Sequence, residues 1–259
     1  MDLGIRGRKA IVCAASQGLG YACALALAHE GCEIVLNARN EERLQSAAQA
    51  LRDESGAHVS AVAADLCSDA GRARLLGACS DPDILVNNNG GPPPGELADW
   101  DHDTWVGALE SNLIAAALLM RAVIPGMRAR RFGRVVNITS AMVKTPHPVM
   151  GLSTAARAGL TALSKALSRE MVADNVTINN LLPERIDTPR QEFMAQRLMR
   201  EQGVSRDEAL RQIIATIPAG RMGRPEEVGM ACAFLCADGA GYITGQNLQL
   251  DGGAYAGLV

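Results

Sequence analysis

Aromatic residues are scarce, at 3% of the 259-residue chain, and tyrosine occurs only at Tyr21, Tyr242 and Tyr255. Any step that needs a phenol therefore has three candidates. Basic charge is not in excess either: 25 Lys and Arg stand against 28 Asp and Glu, a net −3. No positive field exists for nucleic acid to follow, so nucleic acid is not an expected partner. Apolar runs such as "LIAAALLM" are too short to span a bilayer, so no membrane partner is expected. The opening "MDLGIRGRKAIVCAAS" lacks a charged n-region followed by an apolar h-region, and a cytoplasmic protein is the expectation. The seven cysteines form no Cys-x-x-Cys, and only four histidines exist to join them. They read as small buried hydrophobes in a reducing compartment, and no metal site is expected. Cys232 and Cys236 share a helix face, but a pair alone does not make a metal site.

What is present is apolar residue, 48% of the chain, enough for one large core. Short Val- and Ile-rich runs alternate with longer helical patterns. "KAIVCAA", "CEIVLNA", "HVSAVAA", "DILVNN", "GRVVNITS" and "VTINNLLP" read as buried strands, and "GQNLQL" as a last one. Between them lie Ala- and Leu-rich segments, including long ones over 101–130 and 151–174. This alternation predicts a single α/β domain over residues 1–259, a doubly wound parallel sheet of about seven strands. Residues 189–220 break the pattern with charged helix-forming sequence after the sixth strand. Ligands bind beyond the carboxyl ends of strands in such sheets, so this insertion is expected to be a mobile cover over a substrate cleft. An oligomer contact or a surface ornament is the competing reading. The two long helical segments are unusually apolar, which points to a homodimer or homotetramer.

"IVCAASQGLG" joins the first strand to the first helix. Such a turn aims backbone N–H groups at an anion, and Gly18 and Gly20 let a pyrophosphate approach closely. The second strand ends in "NARNEERL" with no carboxylate to accept from a ribose 2′-hydroxyl. Arg39 stands there instead, suited to a 2′-phosphate, which favours NADP(H) over NAD(H). Asn40 can cap the next helix at the same time, with Glu41 and Glu42 in its first turn. Asp65, in "AADL", could accept from an adenine amino group. Asn87, Asn88 and Asn89 could tie strand ends together or touch a ribose.

The order of these parts resembles the short-chain dehydrogenase/reductase family, in its single-domain, Rossmann-type branch near the β-ketoacyl-carrier-protein reductases. The likeness runs from "AASQGLG" through "NNNG", "SNL", "GRVVNITS", "STAAR" and "LLPERIDTP" to "GRPEEV" and "YITGQNLQLDGG". It implies that the dinucleotide is held by the turn residues Ala14, Ser16, Gly18, Leu19 and Gly20, by Arg39, Asp65, Leu66 and Asn88, and by Arg157, Ile186 and Thr188. It implies catalytic roles for Asn112, Ser140, Ser153 and Arg157. The departures are equally plain. The family usually has Gly at the position of Ala14, Ala at that of Asn89 and Gly at that of Glu184. Its Tyr-x-x-x-Lys is here Ser153-Thr154-Ala155-Ala156-Arg157. Relatives with imperfect motifs, labelled reductase-like, share the "NNLLPERIDT" pattern.

The exchange of the phenol for an aliphatic alcohol has two consequences. Serine is a far weaker acid than a phenol of pKa ~10, and without the ring its hydroxyl stops several ångströms short. Arg157 stays cationic, but as a planar fork and not a point charge. His147 carries an imidazole that can give up a proton and is one replacement acid. Glu184 and Tyr255 are others, and Lys144 lies in the same loop as His147. Three functions follow: an NADP(H)-dependent oxidoreductase acting on a small carbonyl or alcohol through an altered proton relay; an idle nucleotide binder serving as a sensor or as partner of an active homologue in a hetero-oligomer; or another chemistry, such as elimination, in the same cleft.

Overall fold

A computed structural model describes residues 2–258. Seven parallel strands form one sheet in the order β3-β2-β1-β4-β5-β6-β7: β1 Lys9–Val12, β2 Glu33–Ala38, β3 Val59–Ala63, β4 Ile84–Asn87, β5 Gly133–Ile138, β6 Val176–Pro183 and β7 Asn247–Leu250. All seven expected strands are present. Alternate residues of each strand face opposite sides of the sheet. Ala10 and Val12 of β1 join a core shared with helices α1 (Gly18–His29), α2 (Glu41–Ser55) and α9 (Pro225–Cys236), whereas Ile11 joins the core beneath α3 (Asp69–Ala78), α5 (Ala115–Ala129) and α6 (Gly151–Met171). The sheet is thus wound on both faces. The chain reverses its direction of winding between β1 and β4, which opens a crevice at their carboxyl ends.

α4 (His102–Leu109) continues into α5 through a π turn at Glu110–Ile114, giving one helix over His102–Ala129. By length and composition this helix could cross a membrane, which corrects the expectation that every apolar stretch is too short. Its apolar side is spent on the sheet: Leu119, Met120, Val123 and Met127 are buried in the core. The composition of this helix therefore reflects core packing, and the exposed large apolar side chains lie mostly elsewhere, at Met230 and Phe234 of α9 and Leu248 of β7. The cysteines behave as small apolar fillers. Cys23, Cys232 and Cys236 are fully buried where α1 meets α9, with the thiols of Cys232 and Cys236 held well above their ordinary range.

An asparagine ladder crosses four adjacent strands. Asn87 Nδ2 donates to Asn137 Oδ1 at 2.8 Å, Asn137 Nδ2 to Asn180 Oδ1 at 3.2 Å, and Asn180 Nδ2 to Asn247 Oδ1 at 2.8 Å. The register places these residues side by side on β4, β5, β6 and β7. A parallel sheet has no water between its strands and helices, so buried amides there must satisfy one another. The ladder runs just below the strand ends that carry the site.

The segment after β6 forms two helices, α7 (Pro189–Gln202) and α8 (Arg206–Ala215). They bury Ala195, Ala209 and Ile213 between them and are tied by Arg206 and Glu192 at 2.7 Å.

Candidate active site

One cavity of about 960 Å³ opens at the carboxyl ends of the strands. At one end lies the turn after β1. Ala14, Ser16, Gly18 and Leu19 line it. Ala14 takes φ +47°, a left-handed conformation that costs a residue with a Cβ roughly 1–2 kcal/mol. Gly20 does not line the cavity. Its role is close packing: a Cβ there would come within 2.5 Å of the Ala14 carbonyl oxygen and 2.9 Å of Asn88 Nδ2. Asn88 lines the cavity and donates from Nδ2 to that same carbonyl at 3.3 Å, tying the β4 end to the turn.

Arg39 lies on the cavity wall, while Asn40 caps α2 by accepting from Arg43 N at 2.8 Å, so the cap leaves Arg39 facing the cavity. Arg43, which sequence reasoning missed, lines the same corner. It stands in the first turn of α2, three residues beyond the Asn40 cap. Neither arginine forms an ion pair with a described residue. Leu66 and Asp65 line the cavity too; Asp65 accepts from Cys67 N at 3.1 Å through one carboxylate oxygen. Two guanidiniums without ion pairs, a glycine turn at a helix start and a carboxylate acceptor are groups that suit an adenine dinucleotide with a 2′-phosphate.

Further along the same cavity stand Ser140, Ser153 and Arg157. Ser140 caps the short turn after β5, accepting from Met142 N at 3.2 Å, and still faces the cleft. Ser153 and Arg157 lie one turn apart on α6, and both are buried. Arg157 Nε donates to Ser153 Oγ at 3.2 Å; Nη1 donates to the carbonyls of Ile138 at 2.8 Å and Thr139 at 2.6 Å; Nη2 donates to the Asn89 carbonyl at 3.0 Å. The guanidinium thus rivets α6 to the end of β5 and to the loop after β4. Loss of hydration pushes its pKa down to about 10, with the like charge of Arg190 adding to the shift. Backbone crowds the hydroxyl as well: a Cβ on Gly91 would lie 3.3 Å from Ser153 Oγ.

Ile186 and Thr188 line the cavity where β6 runs into α7. Glu184 lines it too, with its carboxylate 3.9 Å from Arg185 Nε. The insertion reaches the site through Arg190, Gln191 and Met194 of α7, and Arg190 donates to the Pro92 carbonyl at 3.2 Å. Arg190 was not foreseen; it is one of many arginines in a charged segment, and nothing in its spacing sets it apart.

Asn112 is not brought to the cavity wall. The π turn buries it, with Nδ2 donating to Ser111 Oγ at 2.8 Å and Oδ1 buried without a partner. None of the three tyrosines lines the cavity. Tyr242 is fully exposed, Tyr21 borders a separate shallow hollow, and Tyr255 packs under Lys144, 5.0 Å from ring centre to Nζ. Of the replacement acids considered, His147 and Glu184 remain on the wall. No group of three or more His, Cys, Asp or Glu among the described residues is placed to hold a metal.

The crevice at the switch point, its glycine turn and its arginine-lined adenine corner define a dinucleotide-binding α/β protein. A family model described as enoyl-(acyl carrier protein) reductase matches residues 13–255. The chain is 31% identical over 251 residues to the 3-oxoacyl-[acyl-carrier-protein] reductase FabG of Haemophilus influenzae, covering 97% of this chain and 99% of that one. It is likewise 31% identical over 252 residues to the NADPH-dependent reductase BacG of Bacillus subtilis, covering 95% and 97%. L-sorbose reductase from Gluconobacter frateurii, solved with NADPH and L-sorbose, superposes over the whole of both chains with a TM-score of 0.94 at 32% identity. The chain belongs to the short-chain dehydrogenase/reductase family.

Proposed function

We propose that this protein is an NADP(H)-dependent oxidoreductase that interconverts a carbonyl and an alcohol, with Ser153 and Arg157 in the places of the family's Tyr and Lys. The observation that carries this reading is the bond from Arg157 Nε to Ser153 Oγ, on the wall of the same cavity that holds Arg39 and Asp65. Similarity to reductases whose names specify NADPH supports the coenzyme. The residues fit it: Arg39 and Arg43 for the 2′-phosphate, the turn from Ala14 to Leu19 for the pyrophosphate, Asp65 for the adenine edge. Bound NADPH supplies the hydride.

The chain's own part is to orient the substrate oxygen and give it a proton. Because Ser153 Oγ accepts from a cation behind it, its own hydrogen is free to turn into the cleft toward a substrate oxygen. The same cation makes the hydroxyl more acidic than a free serine. Ser140 offers a second hydroxyl to that oxygen. Serine remains a weak acid with short reach, so turnover is expected to be slow and the pocket tight around small carbonyls.

A second reading, a nucleotide binder without turnover, is favoured by a different observation: four of the five N–H groups of Arg157 are spent on the protein itself. Fluorescence titration with NADPH, followed by a screen of carbonyl compounds, separates the two. Tight binding with slow NADPH oxidation that Ser153→Ala abolishes, binding intact, supports the reductase. Binding with no turnover under any carbonyl supports the idle binder. Ser153→Tyr combined with Arg157→Lys should then raise reduction at least tenfold.

Assembly follows from the surface. Exposed Met230 and Phe234 on α9 and Leu248 on the edge strand β7 support a homodimer or homotetramer, with a heteromer including an active homologue as the alternative. A cytoplasmic setting fits seven unpaired cysteines.

A further inference from the structure

Five arginines and two carboxylates line the cleft, in a chain whose overall charge is −3. Three of the arginines have evident work. Arg39 and Arg43 serve the adenine corner, and Arg185 lies beside Glu184. The other two, Arg157, which also bolts α6 to β5, and Arg190, have no carboxylate beside them and stand in the half of the cleft that holds Ser140 and Ser153.

Neither of these two forms an ion pair with a described residue, and Glu184, the carboxylate on that part of the wall, is already beside Arg185. Arg157 is 9% exposed and retains one N–H after its four bonds to the protein. Arg190 is half-buried; it gives one N–H to the Pro92 carbonyl at 3.2 Å, stacks 5.4 Å over Phe193, and keeps the rest of its fork. Each cation is disfavoured by lost hydration, and Arg157 feels the like charge of Arg190 as well. Buried charges in proteins are normally paired. Both guanidiniums bond carbonyls of one short loop, Asn89 and Pro92, and two such cations without a carboxylate partner are balanced when an anion binds beside them.

The backbone points the same way. Arg190 is in the first turn of α7, a helix of 14 residues. Its N-cap residue, Thr188, turns its hydroxyl back to the Ile186 carbonyl at 3.3 Å and caps no amide. Pro189 has no N–H, and the amides of Gln191 and Glu192 bond the Thr188 carbonyl at 2.8 and 3.4 Å, so the helix end adds its dipole, not a set of free amides, beside the Arg190 guanidinium.

We infer that Arg157 and Arg190 form an oxoanion subsite that takes the carboxylate or phosphate of an anionic carbonyl substrate. This deepens the reductase reading and rests on it for the carbonyl. The coenzyme's pyrophosphate is another source of the same chemistry. Thr188 at the start of α7 borders the turn where the pyrophosphate belongs, 3.8 Å from where a Cβ on Gly18 would stand, but the two guanidiniums reach the other way, to Asn89 and Pro92 on the loop that passes over Ser153, and the test separates the two sources.

The test pairs each anion with a neutral twin: pyruvate, acetoacetate and levulinate against their methyl esters, and dihydroxyacetone phosphate against dihydroxyacetone. Binding is measured by calorimetry on the full chain, alone and loaded with NADP⁺, for the wild type, Arg190→Gln and Arg190→Lys. At least one anion should bind ~10-fold or more tighter than its twin, as a charge-assisted bond provides. That preference should collapse in Arg190→Gln and survive largely in Arg190→Lys. Equal binding of every twin pair to the wild type overturns the subsite. So does an Arg190→Gln variant that loses NADPH affinity and leaves the anion preference unchanged, which would assign the guanidinium to the coenzyme. A wild type that prefers the anion yet fails to bind NADPH upholds the subsite and overturns the reductase reading instead.

Discussion

Arg157 Nε and Ser153 Oγ stand 3.2 Å apart, one turn from each other on α6, with the remaining donors of Arg157 reaching the ends of β5 and the loop after β4. A lysine at this position has three donors on a single point; a guanidinium has five in a fixed plane and can join three segments at once. The exchange that weakens the family's proton relay therefore also adds a structural bolt.

Arg157→Met should expose that bolt. It removes four hydrogen bonds but also relieves a buried cation, so the net loss is about 2 kcal/mol, less than the bonds alone would suggest. Urea denaturation measures it. Arg157→Lys should recover part of the loss. A Met variant as stable as wild type would mean that the carbonyls of Thr139 and Asn89 find water with equal ease.

The asparagine ladder makes a graded prediction. Asn137 is fully buried at its centre and bonds Asn87, Asn180 and Ser164. Asn137→Leu strands several polar groups and should cost about 3–5 kcal/mol. Asn247 ends the ladder on the edge strand, part-exposed, and Asn247→Leu should cost about 1 kcal/mol, because water can replace it. Thermal unfolding of both variants checks the gradient; equal costs would refute the ladder as a cooperative unit.

These two features mark where the sequence stops being readable. The strands were legible because buried parallel strands are short, Val- and Ile-rich and regularly spaced. That the turn and Arg39 share one cavity wall, with Asn40 capping α2, was legible because each feature is local to its own segment. Asn87, Asn88 and Asn89 show the limit. Three identical residues in a row take three roles, since β4 ends at Asn87 and the chain then turns: the Asn87 side chain knits to β5, the Asn88 side chain to the first turn, and the Asn89 backbone carbonyl takes Arg157. Asn112 is off the cavity wall for another reason. The π turn adds a residue to the helix and rotates the side chain away from where a regular helix would set it. The partners of Arg157 depend on how α6 lies against β5, which no local pattern encodes.

Coenzyme choice should follow Arg39 and Arg43. Both are exposed on the cavity wall without ion pairs, so a 2′-phosphate meets them at no cost in broken bonds. Arg39→Ala should weaken NADPH by roughly 10–100-fold, the scale of a charge-assisted bond, and leave NADH nearly unchanged. Adding Arg43→Ala should weaken NADPH further. Fluorescence titrations of both coenzymes decide it: a parallel loss for NADPH and NADH would place the arginines away from the phosphate.

Cys67 offers a probe of the same corner that needs no substitution. It is the one cysteine that is not buried, and it lines the cavity beside Asp65. Partial burial and then the neighbouring Asp65 carboxylate raise its pKa, with Arg39 pulling weakly the other way. The thiolate is the reactive form, so at pH 7.5 Cys67 should react with maleimide more slowly than a free cysteine. Its rate should climb as pH rises through the range where an ordinary thiol has already levelled off. The six buried thiols should stay silent until the chain unfolds, when all seven label. NADPH should slow the native reaction by covering the corner, and NADP⁺ should do the same. Mass spectrometry of the labelled chain reads every part of this; a label on any other cysteine, or a Cys67 rate indifferent to saturating NADPH, would move the coenzyme away from Asp65 and Arg39.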